Sequence, residues 1–479
     1  MIISEKKNNF IIKTQTDTPV FHENYDVVVV GLGAAGAISL ITAAKKGLKV
    51  LGIERLNCMG GMATAGSVLG YYFGNRGGEY ENIDKKSLEL NGTVYTFSGN
   101  SFGGESKKTI LEKIALKHGT DIQYEGLVIG VYLEDNQING IKYICPDGMK
   151  NVFCKILIDG TGDAQVCELA GCETVCGRSL DGRTQPFTGV RGFITENRIK
   201  NTNHACGVVN QFNSVFLSNA IMEANSCHFE KTTENNTLYM ASLLGIRDGK
   251  RIVGMEMPTA YELFSDALTK EPVFYAYADL DKHGLDNAFE NEAIQDWWVA
   301  AHLGAANVTV PISLGSHIPK NIEGLMATGR CISMDRDIES CVRMMRDMQK
   351  SGEAAAVAAQ IAIKNQCSLK DVPYAELKKQ LSESGCLSDE NNKGTNFESF
   401  SSNDTNEIKW LTDEGEIKLN LNSNKPGVAI WSAYRLKMAD QLSGWLRSEE
   451  EMLKKHSAFA LGLLRDERCL EVLRKIIYD

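Results

Sequence analysis

The sequence predicts an α/β fold whose main domain is split along the chain, with an inserted α+β segment and a small helical region toward the C-terminus. Three observations predict it. Tyr25–Glu54 reads as strand, glycine turn, helix, strand. Residues 321–363 return to a strand (GLMATG), a charged turn and a small-residue helix (SGEAAAVAAQIAI). The stretch between, about 171–305, mixes short strands and helices with weak periodicity, which suits a separate substrate-facing domain. The expected boundaries are 25–170 and 306–365 for the two parts of the main domain, 171–305 for the insertion, and 366–479 for a linker and helical region.

Residues 1–24 are polar and suit a peripheral tail or an edge strand. VVVV, ending at Val30, is the continuous apolar run of a buried parallel strand. Ala34–Gly47 carries Ile38, Ile41 and Ala44 at helical spacing, and Leu48–Ile53 is the second strand. Residues 60–104 are rich in glycine and are expected to be loop beside a ligand. Lys107–His118 reads as helix. Ile122–Ile158 alternates in short runs broken at Asp135-Asn136, Asn139-Gly140 and Asp147-Gly148, the pattern of a β-meander. Ile156–Asp163 reads as a core strand ending in a glycine turn. An Asn-, Ser- and Glu-rich linker is expected at 387–408, and helices at 428–479, where HSAFALGLLRDERCLEVLRKII suits a terminal helical hairpin or one HEAT-like pair.

The chain of 479 residues is 43% hydrophobic and 23% charged, enough for two or three cores. A net charge of −10 argues against nucleic acid or anionic membrane surfaces as partners. No apolar run approaches the ~20 residues of a membrane span, and the N-terminal segment has no apolar leader core, so a soluble cytoplasmic protein is expected. Thirteen scattered cysteines suit free thiols in a reducing compartment.

Gly31-Leu-Gly33-Ala-Ala-Gly36 fits G-x-G-x-x-G between strand and helix. The first glycine permits the tight turn, the second lets the backbone approach a pyrophosphate, and the third lets helix pack on strand. The phosphate then meets the free N–H groups of a helix N-terminus. Glu54 ends the second strand, where a carboxylate hydrogen-bonds an adenosine ribose. These residues leave open whether the dinucleotide is a visiting NAD(P) or a resident flavin.

Beyond Glu54-Arg55 comes Asn57-Cys-Met-Gly60-Gly61. Here the chain resembles flavoproteins of the glutathione reductase type, whose fingerprint runs from the ribose acid into a paired glycine. More narrowly, it is similar to the FAD-dependent oxidoreductase family in which this segment reads GGMATAG, as Gly60–Gly66 does. The likeness recurs in order at Ile158–Asp163, Thr184–Pro186, Leu244–Gly254, Ala327–Ser333, Val342-Arg343 and Gly352–Ala356, and covers roughly 25–365. It implies a Rossmann-like FAD-binding domain, discontinuous in sequence, with FAD held non-covalently and the late segment closing over its flavin end. The implied cofactor residues are Gly31, Gly33, Ala35, Gly36, Glu54, Arg55, Gly60, Gly61, Met62, Ala63, Val128, Gly162, Asp163, Gly329 and Arg330. The helix beginning near Ser340 is expected to stabilise the reduced flavin through its dipole.

Glutathione-reductase-like enzymes carry a redox cysteine pair after the paired glycine. Met62–Val68 holds none, and Cys58 lies before the glycines, so disulfide reduction is not expected. Nor is there a second clear G-x-G-x-x-G with a following acid. Electrons would come from transient NAD(P)H, from an electron-transfer protein, or from the substrate with oxygen as acceptor.

The candidate catalytic residues are Arg343, His317 and Arg330. Arg343 in CVRMMRDM, a position the resemblance marks, can clamp a carboxylate or offset charge on reduced flavin; a salt bridge to Asp335, Asp337 or Asp347 is the alternative. His317 is a candidate proton carrier, against a capping or surface role. Arg330 can touch flavin or hold its loop. Arg247 and Arg251 flank a turn, as structure or substrate rim. Where the family pattern reads roughly IPYRSLIP, this chain has Val310–Pro319, VPISLGSHIP, and the family arginine is absent. Tyr71 and Tyr72 either line the pocket or pack the loop. His204/Cys206 and Cys227-His228 lack zinc spacing, and Cys167, Cys172 and Cys176 read as buried thiols, so no metal is expected.

The function these readings support is hydride transfer between flavin N5 and a small organic substrate. An oxygen-using oxidase or hydroxylase, and a non-catalytic flavin-bearing electron-transfer or scaffold subunit, are the alternatives.

Overall fold

The computed structural model describes residues 1–479 except 8–9, 92–102, 196–197, 231–236, 284–288, 398–407 and 479. Two compact units divide the chain: 1–259, 268–287 and 309–392 form the first, and 260–267, 288–308 and 393–479 the second.

The first unit is built on a mixed sheet of nine strands among the described residues. Eight of them are β1 (Ile2–Lys7), β2 (Phe10–Gln15), β3 (Glu23–Val30), β4 (Val50–Glu54), β5 (Asp121–Tyr124), β6 (Leu127–Glu134), β7 (Gln137–Cys145) and β8 (Gly148–Asp159). They lie in the order β2-β1-β6-β7-β8-β3-β4-β5. The first residues are thus an edge hairpin, with exposed Phe10 and Ile12 on its outer strand. In β3 the whole run Val27–Val30 is buried, as its unbroken apolar sequence requires of a strand covered on both faces.

β8 changes partners along its length. Its first half pairs antiparallel with β7, closing the expected meander, and its second half runs parallel to β3. The late strand Leu325–Ala327 lies parallel to β8 on its other side, with Leu325 opposite Leu157 and Ala327 opposite Asp159. Residues more than 160 positions apart therefore sit side by side, which is the discontinuity expected of the main domain.

Helix α1 (Ala34–Lys45) follows β3 and is buried from Ala35 to Ala44. It packs on the long helix Met345–Asn365, where Ser39 Oγ donates to the Gly352 carbonyl at 2.7 Å. A Cβ on Gly352 would stand 2.1 Å from the Ala35 carbonyl oxygen, so the close crossing needs that glycine.

Two expectations are corrected. Residues 60–104 are not all loop: α2 (Glu79–Asn91) lies there, seated by buried Tyr80, Ile83 and Ser87, and α3 (Gly104–Lys117) begins at the end of that stretch. Glycine on both sides hid a helix whose own apolar stripe is short. Nor does a helix start near Ser340. That residue lies inside Arg336–Val342, and the chain breaks at Arg343-Met344 before the long helix begins at Met345.

A three-stranded sheet, Phe187–Thr195, Arg198–Gly207 and Thr237–Met240, belongs to the same unit. Helix Ser214–Glu230 covers it, with Ala220 and Ala224 against Phe187 and Val209. The side chains of Cys227 and His228 lie outside the described residues.

The second unit is helical toward its end, with Glu414–Leu421, Gly427–Arg435, Ala439–Trp445, Glu451–Leu463 and Leu470–Tyr478 in series. Its core is aromatic: Phe264 stacks on Trp297 with ring centroids 4.5 Å apart, and Trp431 meets Trp297 edge-on at 5.0 Å. Among the described residues no helix is long and apolar enough to cross a membrane.

Candidate functional site

Three adjacent parallel strands end in glycine turns at the same edge of the sheet. β3 runs into Gly31, β8 into Gly160, and Leu325–Ala327 into Thr328-Gly329. Ligands in open α/β sheets bind outside the carboxyl ends of the strands. The turns touch. Gly31 has φ +81, and a Cβ there would stand 2.6 Å from Thr161 Cα, so both its conformation and its contact exclude a side chain. A Cβ on Gly36 would reach the Gly31 carbonyl oxygen at 1.9 Å. Gly33 differs: its Cβ would meet nothing nearer than 3.9 Å, so protein packing does not explain that glycine. It caps α1 without any side-chain hydrogen bond, leaving the first-turn N–H groups of Ala34 and Ala35 for a ligand.

Glu54 is buried at the end of β4. Its Oε2 accepts from Leu32 N at 2.7 Å and its Oε1 from Leu56 N at 3.0 Å. Burial pushes its carboxyl up against the pull of those amides. Each oxygen keeps a further lone pair for a ribose hydroxyl. Gly126 N donates to the Glu54 carbonyl at 3.0 Å, which brings Val128 on β6 to the same end of the site. Arg55 is exposed beside it. Gly60 to Ala63 fold back over α1, since a Cβ on Gly61 would lie 2.9 Å from Gly33 Cα. Met62 reaches Gly245, and Asn201 Nδ2 donates to the Ser67 carbonyl at 2.7 Å, so the GGMATAG loop is held from the inserted segment.

The second turn is organised by Asp159, a residue given no role above. Its Oδ1 accepts from Thr161 N and Oγ1, and its Oδ2 from Val166 N and Cys167 N, all within 3.0 Å. At the third turn, Arg330 Nη2 lies 3.2 Å from Asp163 Oδ1 and so joins it to the second. Gly162 stands beside the Arg330 guanidinium, and a Cβ on Gly329 would lie 2.9 Å from the Ala35 Cβ.

His317 is fully buried beneath the third turn. Nδ1 is 3.1 Å from the Ser313 carbonyl and Nε2 is 3.0 Å from Ser351 Oγ. Ser351 Oγ also accepts from Gly329 N and meets Thr328 Oγ1, each at 3.0 Å. Burial pushes the imidazole down to about 4. Both ring nitrogens are engaged, and the ring holds the turn through Ser351.

Arg343 is half-buried, its side chain 6% exposed, and its partner is none of the three acids of the alternative reading. Its Nη2 donates to the carbonyl and Oδ2 of Asp281, at 2.5 and 3.1 Å, and to Gln185 Oε1 at 3.3 Å. Asp335 instead caps its helix at Ile338 N, Asp337 lies 3.7 Å from Lys282 Nζ, and Asp347 accepts from Asn75 N and Tyr277 N. Burial raises the Asp281 carboxyl, but His283 and Arg343 more than offset it and hold it below the usual range. Arg247 lies close by, its Nη1 donating to the Pro186 carbonyl at 2.7 Å. Burial, with the Arg343 guanidinium adding, pushes it down to about 10. Arg251 is buried and pairs with Asp248, which also holds Arg336.

Glu339 was not anticipated. It lies one turn before Arg343, wholly buried, with Oε2 3.5 Å from Gln185 Nε2 and Oε1 without a hydrogen-bond partner among the described residues. Its one sequence signal was the i, i+4 spacing to Arg343. Tyr72 is exposed and donates to Asp279 Oδ2 at 3.0 Å, whereas Tyr71 is buried in a network with Lys107, Asp84 and Gln349. Cys167 is buried and Cys172 and Cys176 are half-buried.

The chain is similar to known proteins over parts of its length. Over 171 residues the chain is 29% identical to a digeranylgeranylglycerophospholipid reductase 1 of Methanococcoides burtonii, which covers 32% of this chain and 41% of the relative. Over 166 residues it is 29% identical to a digeranylgeranylglycerophospholipid reductase of Methanosarcina acetivorans, 31% of this chain and 41% of the relative. The chain thus spans about two fifths of the length of the curated relatives it matches. A solved structure, a geranylgeranyl bacteriochlorophyll reductase-like protein from Thermoplasma acidophilum, aligns with 92% of this chain and 99% of its own at 14% identity and a TM-score of 0.39. The family model described as FAD dependent oxidoreductase matches residues 26–220 and 209–381. With most of the chain inside that match, the protein belongs to the FAD-dependent oxidoreductase family.

Proposed function

We propose that the chain transfers a hydride between the flavin of non-covalently bound FAD and a small organic substrate, within the glutathione-reductase-type group of flavoproteins. The observation that carries this reading is the meeting of three glycine turns at the carboxyl ends of β3, β8 and Leu325–Ala327. Gly31, Gly33, Ala35 and Gly36 would hold the pyrophosphate and Glu54 the adenosine ribose, with Arg55 and Val128 at that end. Gly60, Gly61, Met62 and Ala63 would cover the cofactor, and Gly162, Asp163, Gly329 and Arg330 would bear on its middle. Bound FAD supplies the hydride acceptor or donor. Arg343 would orient the substrate, and His317 is a positioning residue that fixes the Gly329 turn through Ser351.

Electrons would reach the protein from transient NAD(P)H or an electron-transfer protein. An oxygen-using oxidase or hydroxylase shares the same residues. The archaeal relatives' names point to an isoprenoid glycerophospholipid, but such a chain calls for an apolar pocket. The residues gathered here are Arg343, Arg247, Gln185, Glu339 and Asp281, which suit a polar substrate better.

The test is the visible absorption spectrum of the purified protein before and after anaerobic dithionite. Flavin bands that bleach on reduction are expected, together with reduction by NADH, NADPH or a substrate. A colourless protein that takes up no added FAD overturns the reading.

A further inference from the structure

Polar groups buried without partners are rare, and each calls for an explanation. Three fall in one cluster. Glu339 Oε1, Arg343 Nε and Arg330 Nη1 are all buried and have no hydrogen-bond partner among the described residues. Glu339 and Arg343 stand one helical turn apart on one face, and Gln185 bridges them, its Oε1 to Arg343 Nη2 and its Nε2 to Glu339 Oε2. Arg247 adds a second guanidinium close enough to be pushed down by Arg343. Two guanidiniums held near each other out of water are stabilised by a shared anion. Asp281 answers Arg343 through Nη2 but is shared with His283, and it leaves Nε unserved.

We propose that this cluster is the substrate's recognition site and that it takes a carboxylate. Arg343 Nε and Arg330 Nη1 donate to the carboxylate oxygens, and Glu339, as the carboxylic acid, gives the third hydrogen bond. A carboxylate has the four lone-pair positions to accept all three. Burial and Asp248 push the Glu339 carboxyl up, against Arg343, Arg251 and Arg330. Arg247 faces it too, and Asp248 is itself tied to Arg336. Arg247 is half-buried, and Tyr72, which donates to Asp279, is exposed. The proposal rests on the flavin reading, because it makes this cluster the place where the substrate meets the cofactor.

The probe is acetate, small enough to enter wherever a larger carboxylate goes, with chloride at equal ionic strength as control. Binding to the full chain is read twice: by perturbation of the flavin spectrum in the FAD-loaded protein, and by melting temperature with and without FAD. Saturable binding of acetate above chloride is expected, weakening about tenfold to hundredfold in Arg343→Met. Arg343→Lys, which keeps the charge but loses Nε, should fall between. Acetate affinity of the wild type should drop as pH rises through the Glu339 titration, and Glu339→Gln, a permanent donor, should abolish that slope. Acetate binding no better than chloride overturns the proposal. So do variants that bind acetate as the wild type does while losing FAD or shifting its potential, since the cluster would then hold the cofactor. If the chain takes up no FAD, the flavin reading fails, and acetate-dependent melting of the flavin-free protein still decides the carboxylate site.

Discussion

Arg330 Nη2 lies 3.2 Å from Asp163 Oδ1, and this ion pair joins the glycine turn after β8 to the turn after the late strand. Gln211 Nε2 adds a second donor to the same oxygen at 3.2 Å. The two turns come from distant parts of the chain, so their spacing depends on such cross-links. Asp163→Asn keeps the shape and removes the charge. It should lower FAD affinity about tenfold, the worth of one charge-assisted contact, with little change in melting temperature of the flavin-free protein. Unchanged FAD affinity in a fluorescence titration would show that the pair does not set the site.

Gly31 and Gly33 are two residues apart and should fail in different ways. An alanine at Gly31 needs φ +81 and drives its Cβ to 2.6 Å from Thr161 Cα, so Gly31→Ala should lower stability by about 1–3 kcal/mol even without ligand. An alanine at Gly33 meets only the Gly160 carbonyl at 3.9 Å. Gly33→Ala should therefore fold with unchanged melting temperature and still lose FAD affinity by about tenfold to hundredfold, because only the pyrophosphate competes for that space. Wild-type FAD affinity in Gly33→Ala would falsify the placement of the cofactor.

Those glycines were legible because their message is local. Turn, helix start and acid all fall within one βαβ unit, and the periodicity of each element declares it. Ser351, Glu339 and Asp281 were not legible, because each acquires its role from a distant partner. Arg343 meets Asp281 across 62 positions, whereas three acids nearer in sequence invited the wrong pairing. Ser351 looks like one small residue in an alanine-rich helix until that helix is laid against the Gly329 turn. α2 was missed for another reason: glycine-rich flanks signal loop, and a helix with three buried positions carries too little pattern to outweigh them.

His317 predicts a pH-dependent stability. Its folded value is about 4 against an ordinary 6.5, so below 6.5 the unfolded chain takes up a proton that the folded one refuses. Stability carried by the neutral ring is present above 6.5 and is lost as pH falls toward about 4, by about 3 kcal/mol in all. Asp347, pushed up to about 7 by burial, titrates across the same window with the opposite sign. The effect must therefore be read as a difference. In urea unfolding, the stability advantage of wild type over His317→Gln should shrink as pH falls from about 7 to about 5, by about 2 kcal/mol. A constant difference would mean that the ring titrates normally and is not held as the structure has it.

Lys107 predicts a non-additive pair. Its ammonium is buried and donates to Asp84 Oδ1 at 2.7 Å, to Tyr71 at 3.1 Å and to Gln349 Oε1 at 3.1 Å. These four side chains fasten α2, α3 and the long helix Met345–Asn365 behind the glycine-rich loop. Burial pushes the lysine down, and Asp84 offsets only part of that push. Lys107→Met leaves that carboxylate without its cation, and should destabilise the protein by about 3–5 kcal/mol. Replacing both members removes the stranded charge, so Lys107→Met with Asp84→Asn should recover part of that loss. Urea unfolding of the two single variants and the double closes the cycle. If the double variant is as unstable as the sum of the singles, Lys107 and Asp84 act independently, and the anchoring of the loop lies in packing around Tyr71 instead.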